Sequence, residues 1–169
     1  MTASAQETSK DERRVALVTG ASRGIGRAIA QALAREGVYV FLNYRSNTAA
    51  AEEALASLGP GNGELLPFDV SDPAQVDAAV AALTQKRGRL DILVNNAGVA
   101  IDGLLLRFKN NDWDQSISQN LSAAFYLCRA AAKWVLRAKE GGRIINLTSV
   151  VGEMGSAGQV AYVSAKAGL

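Results

Sequence analysis

From Val15 onward, short apolar runs alternate with longer stretches of helical period. Val15 to Val18, Val38 to Leu42, Ile92 to Val94 and Ile144 to Leu147 are short, mostly apolar and β-branched, as strands buried on both faces of a parallel sheet are. Between them lie helix signals: Gly26 to Glu36 stopped by Gly37, Ala49 to Leu58 stopped by Gly59-Pro60, and a segment opened by Asp72-Pro73 that ends before Gly88. Glu64 to Phe68 reads as one more strand, and Pro67, which has no N–H to donate, places it at a sheet edge. The repeated strand-helix order predicts an α/β fold, a doubly wound parallel sheet in three layers, α/β/α. Its third strand should lie outside the second, as in the order 3-2-1-4-5-6. The longest helix is predicted over 111–140, with Trp113, Ile117, Leu121, Ala124, Cys128, Ala131 and Val135 as its buried stripe and Gly141 as its stop.

Residues 1–14 are polar and without period, so they are expected to be a disordered tail, and 15–169 a single domain. Composition narrows the chemistry. With 49% hydrophobic and 20% charged residues the chain is expected to fold, and its scattered charges, net +2, give no footprint for nucleic acid. It contains no histidine, which excludes histidine base catalysis, a Ser-His-Asp triad and imidazole-bound metal. Cys128 is the only cysteine, so no disulfide forms within the chain, and no segment approaches the roughly 18 apolar residues of a membrane span. These features read as a cytoplasmic protein.

Directly after the first strand comes Thr19-Gly20-Ala21-Ser22-Arg23-Gly24-Ile25-Gly26, leading into a helix. Glycines there allow a sharp turn and close approach of a pyrophosphate, whose charge the N–H groups and dipole of the helix N-terminus stabilise. The spacing is not that of an ATPase phosphate loop. A tight strand-helix connection is the plain alternative. No acidic residue follows at the distance expected for a ribose 2′-hydroxyl ligand. The second strand ends instead in Asn43-Tyr44-Arg45, and Arg45 with Arg23 suits a 2′-phosphate, favouring NADP(H), unless both are solvated loop charges.

Tyr162 and Lys166 are four apart and share a helix face, where an ammonium favours the phenolate. Ser149, Asn95-Asn96-Ala97-Gly98 and Asp69-Val70 all follow strands at the carboxyl edge of the sheet. Asn120 sits beside the buried stripe, where its amide must find partners.

Together, Thr19-Gly20-x3-Gly24-x-Gly26, Asp69, Asn95-Asn96-Ala97-Gly98, Asn120, Ser149 and Tyr162-x3-Lys166 resemble the short-chain dehydrogenase/reductase family over 15–169. Asp102-Gly103-Leu104-Leu105, Ser149-Val150-Val151-Gly152 and Gly158-Gln159 are similar to its bacterial 3-oxoacyl-[acyl-carrier-protein] reductases. The resemblance implies a Rossmann-like fold and NADPH-dependent reduction of a 3-oxoacyl thioester on acyl carrier protein, in fatty-acid biosynthesis. It implies Tyr162 as proton donor, Ser149 positioning the carbonyl oxygen, Lys166 tuning the tyrosine and holding the nicotinamide ribose, and Asn120 holding a relay water. Gly20, Ser22, Arg23, Gly24, Ile25, Gly26, Asn43, Arg45, Asp69, Val70, Asn96, Ala97 and Gly98 would hold the cofactor with Tyr162 and Lys166. No metal is needed. Alternatives are a reductase or dehydrogenase for a sugar, steroid or small ketone, and a non-catalytic nucleotide-binding subunit. Arg137, Lys139 and Arg143 are expected to steer an acidic carrier. The fifth strand is the last and Leu169 follows Lys166 by three residues, so the domain is expected to lack its C-terminal part. The whole is expected to be a homotetramer.

Overall fold

The strand signals assemble as one five-stranded parallel sheet in the order β3-β2-β1-β4-β5. A computed structural model describes residues 12–169. Its strands are β1 (Val15–Val18), β2 (Tyr39–Tyr44), β3 (Gly63–Pro67), β4 (Ile92–Asn95) and β5 (Arg143–Asn146). Its helices are α1 (Gly24–Arg35), α2 (Thr48–Ala56), α3 (Pro73–Arg87), α4 (Asn110–Ile117), α5 (Ala123–Val135), a short α6 (Val151–Met154) and α7 (Val160–Gly168). The order agrees with a Rossmann-like doubly wound sheet. β3, carrying Pro67, is an edge strand and only half-buried, whereas all four residues of central β1 are fully buried.

Alternation along β1 divides the core in two. Val15 and Leu17 face Phe41, Leu93, Val76 and Leu83 on the side of α3 and α5, while Ala16 and Val18 face Val40, Leu42, Ala30 and Ala54 on the side of α1 and α2. Each fully buried valine, leucine or phenylalanine contributes roughly 1.5–3 kcal/mol. The alanines of α1 and α2 allow those helices to lie close to the sheet. Asp72 begins α3 as expected: its Oδ1 accepts from Ala74 N (2.9 Å) and Gln75 N (3.2 Å), Pro73 is the first helical residue, and Gly88 ends the helix at φ 70°. At the start of β4, buried Asp91 accepts from Val15 N (2.8 Å) and takes both ends of the Arg89 guanidinium (2.8 Å each).

Residues 1–11 of the expected tail lie outside the described residues. Of the rest, Arg13 donates to Asn62 Oδ1 (3.0 Å) and Gly61 O (2.9 Å), and Arg14 O accepts from Tyr39 N (2.8 Å).

The long helix differs from its expected form. Between α4 and α5 one π-helical turn, Ser118–Ser122, adds a residue to the helical period, with Ala123 N donating to Ser118 O. The buried positions are Ser116, Asn120, Ala123, Ala124, Leu127, Ala131 and Val135; Ala124, Ala131 and Val135 are inside as expected, whereas Ile117, Leu121 and Cys128 are only half-buried and Trp113 is 39% exposed. The helix also ends at Val135, not near Glu140. Gly141 (φ 81°) and Gly142 turn the chain back so closely that a Cβ on Gly142 would overlap Val135 O. The opposite sheet edge, β5, is open, with Ile144 and Ile145 39% and 46% exposed.

Candidate functional site

The turn between β1 and α1 is built by glycines with different tasks. Gly20 (φ 61°) and Gly24 (φ 55°) adopt backbone that other residues resist, and Gly24 has open space where its Cβ would be. A Cβ on Gly26 would sit 2.5 Å from Gly20 O and from Asn96 Nδ2, so the turn closes only around glycine. Thr19 locks this turn to β4: its Oγ1 donates to Val94 O (3.2 Å) and accepts from Asn96 N and Ala97 N (3.0 Å each). Asn96 Nδ2 returns the contact to Thr19 O (2.7 Å).

A cleft of about 600 Å³ opens over this turn at the carboxyl edge of the sheet. Gly20, Ser22, Arg23, Gly24, Ile25 and Gly26 form its floor. Asn43, Arg45, Asp69 and Val70 form one wall, and Asn96, Ala97 and Gly98 the other. Thus every residue expected to hold a cofactor lines it except Tyr162 and Lys166. Asn43 does so as a buried strut: its Oδ1 accepts from Gly20 N (3.2 Å) and its Nδ2 donates to Phe68 O (2.9 Å). Arg45 lies 3.7 Å from Asp69, and Arg23 is exposed immediately before α1. The open glycine turn, the α1 N-terminus and two arginines form a donor set that fits the phosphates of a dinucleotide.

Lys166 and Asn120 line a small adjoining cavity of about 10 Å³, which shares Val70, Ala97 and Gln119 with the larger cleft. Lys166 is 6% exposed, and burial pushes its pKa below the ordinary lysine value. Its Nζ donates to Leu147 O (2.8 Å) and lies 5.8 Å from the centroid of the Tyr162 ring. Asn120, held in the π turn, has its Oδ1 accepting from Val99 N (3.1 Å) and its Nδ2 donating to Val99 O and Ser116 O (2.8 Å each). Gly98 lies between them, since a Cβ there would be 2.5 Å from Asn120 Oδ1 and 3.7 Å from Lys166 Nζ. Ser149 is half-buried two residues before α6, and Gly152 lets α6 approach α7 until a Cβ would be 3.0 Å from Ala167 N. The fold therefore places Asn120 and Lys166 beside Gly98, with the Tyr162 ring next to Lys166, and sets Ser149 three residues beyond β5. A tyrosine beside a buried lysine, whose small cavity adjoins the glycine cleft, suits proton transfer to a carbonyl.

A family model described as short chain dehydrogenase matches residues 14–169. The chain belongs to that family. Short-chain dehydrogenases use a nicotinamide cofactor, which accords with the cleft. At the level of single proteins, the chain is similar to the 3-oxoacyl-[acyl-carrier-protein] reductase FabG of Escherichia coli (strain K12), with 45% identity over 94% of this chain and 64% of that protein. It is similarly related to the 3-oxoacyl-[acyl-carrier-protein] reductase of Synechocystis sp., 46% identical over 92% of this chain and 64% of the relative. The FabG of Vibrio cholerae is 44% identical over 94% and 64%. The chain spans about 64% of the length of these curated relatives.

Sequence reasoning did not single out Thr19, Gln119 or Asn146. Thr19 stood inside the glycine motif, but only the register of β1 against β4 shows its hydroxyl bridging them. Asn146 is the register partner of Asn95 and accepts from its Nδ2 (2.8 Å), a pairing with no local signal. Gln119, within the π turn, also lines the cleft. Arg137 and Lys139 line a second cavity, with Arg89 and Asp91, at the edge where the strands begin. That edge is opposite the glycine cleft.

Proposed function

We propose that this protein is a cytoplasmic NADPH-dependent reductase that converts a 3-oxoacyl thioester on acyl carrier protein to the 3-hydroxyacyl product, and that it works as a homotetramer. The observation that carries the reaction type is buried Lys166, which lies beside Asn120 at Gly98 and 5.8 Å from the Tyr162 ring centroid, in a cavity adjoining the glycine-floored cleft. The substrate class rests on the named activity of the similar proteins.

The cofactor supplies the hydride. Tyr162 donates its hydroxyl proton to the carbonyl oxygen as that oxygen gains charge, and Ser149 hydrogen-bonds the same oxygen and fixes its position. Lys166 is anchored by Leu147 O, so its ammonium stays near the Tyr162 ring and favours the tyrosinate left after proton transfer. The 10 Å³ cavity beside Asn120 and Lys166 is about the size of one water, which would return a proton towards Lys166 and Tyr162. Arg23 and Arg45 would take the 2′-phosphate as charge-assisted partners. A carrier protein steered to Arg137 and Lys139 would reach the wrong edge of the sheet, so its thioester must be presented at the carboxyl edge.

The test is loss of NADPH absorbance with the full-length protein, comparing acetoacetyl thioesters with a panel of free ketones and sugars. Preferential turnover of thioesters is expected. Turnover of free ketones alone would replace the substrate class, and cofactor binding without turnover on any carbonyl would make the protein a nucleotide-binding subunit.

A further inference from the structure

The 2′-phosphate pocket contains a carboxylate as well as its two arginines. Asp69, the second residue after β3, lines the same cleft as Arg23 and Arg45. It is firmly held: Oδ1 accepts from Ser71 N (2.9 Å) and Ser71 Oγ (2.7 Å), and the Asp69 backbone N–H donates to Gln75 Oε1 (3.0 Å). Its other oxygen, Oδ2, is 3.7 Å from Arg45 Nη1, close enough for an ion pair and too long for a hydrogen bond. Arg45 immediately follows β2 and its side chain is 58% exposed, against 29% for Asp69. One partner is therefore fixed and the other is free to swing without losing a hydrogen bond.

We infer that Asp69 is a specificity-determining residue that competes with the cofactor's 2′-phosphate for Arg45, and so limits the preference for NADP(H) over NAD(H). This rests on the proposal that the cleft takes an NADP-type cofactor. A phosphate arriving at Arg45 must draw the guanidinium away from Asp69 and then stay near that fixed negative charge. A cofactor with a plain 2′-hydroxyl meets neither demand. The ion pair is solvent-exposed, so the effect is that of a surface pair, between about 1.4-fold and fivefold in affinity.

The experiment measures equilibrium binding to the full-length protein of two probes that differ only in the 2′-phosphate, adenosine 2′,5′-bisphosphate and adenosine 5′-monophosphate. Asp69→Asn keeps an oxygen to accept from Ser71, so it removes the charge and retains the loop. Wild type is expected to prefer the bisphosphate. Asp69→Asn should raise the ratio of bisphosphate to monophosphate affinity by about 1.4- to fivefold. Arg45→Ala should weaken the bisphosphate, and adding Asp69→Asn to it should then give no gain. An unchanged probe ratio in Asp69→Asn, equal weakening of both probes, or a gain that persists without Arg45 would each overturn the competition. If wild type has no preference and Arg45→Ala changes nothing, the NADP reading itself fails and this inference falls with it.

Discussion

Lys166 Nζ donates to Leu147 O at 2.8 Å, tying α7 to the residue that follows β5. The bond holds the ammonium where burial disfavours its charge. Because burial lowers the folded-state pKa, the unfolded chain binds more protons between that lowered value and about 10.5. Stability conferred by this site is therefore present above the unfolded value and is lost as pH falls through the folded one. Denaturant melts of wild type and Lys166→Met should show the difference moving in favour of wild type as pH rises towards that window. A difference independent of pH would mean that Lys166 is not desolvated in the folded protein.

Tyr162→Phe keeps the ring and removes only the proton. Turnover should fall by about 10²- to 10⁴-fold, with binding of the dinucleotide retained. An unchanged rate would remove Tyr162 from the proposed chemistry.

Gly98→Ala tests the junction between Asn120 and Lys166. The new Cβ would stand 2.5 Å from Asn120 Oδ1, which Val99 N already holds, so the amide or its loop must shift. Overpacking of this kind costs about 1–3 kcal/mol. A displacement of about 1 Å in a reacting group lowers rate by about 100-fold. Melting temperature and turnover should both drop while the circular dichroism spectrum is retained.

Asp91→Ala tests the scaffold away from the chemistry. The side chain is 1% exposed and partners both Val15 N and Arg89, so its loss leaves a buried N–H unpaired and strands the arginine. A loss of about 2–4 kcal/mol is expected. Dinucleotide affinity of the folded fraction should be unaffected.

A polypeptide of residues 12–169 alone exposes the open edge of β5, with Ile144 and Ile145, and Phe125 at 62% on α5. Such an edge with apolar side chains pairs with other copies. Light scattering should show concentration-dependent association, reduced by Ile145→Lys.

The sequence by itself determined the sheet order, because buried β-branched runs, Pro67 and the cap chemistry of Asp72-Pro73 and Gly88 each act within a few residues. Most of the residues that line the cleft were legible in it too, since parallel strands deliver Asn43, Asp69 and Asn96 to one edge whatever their packing details, but Tyr162 and Lys166 fall outside the cleft lining. The π turn was beyond it. A helical stripe read from Trp113 assumes a constant period; it found Ala124, Ala131 and Val135 but missed Ala123 and Leu127 and put Trp113 inside. The Thr19, Asn96 and Asn146 contacts depend on strand register, and the Arg45 contact with Asp69 joins the ends of two different strands. Only tertiary structure decided these, because hydrogen bonds and ion pairs between residues far apart in the chain depend on distances that local pattern does not contain.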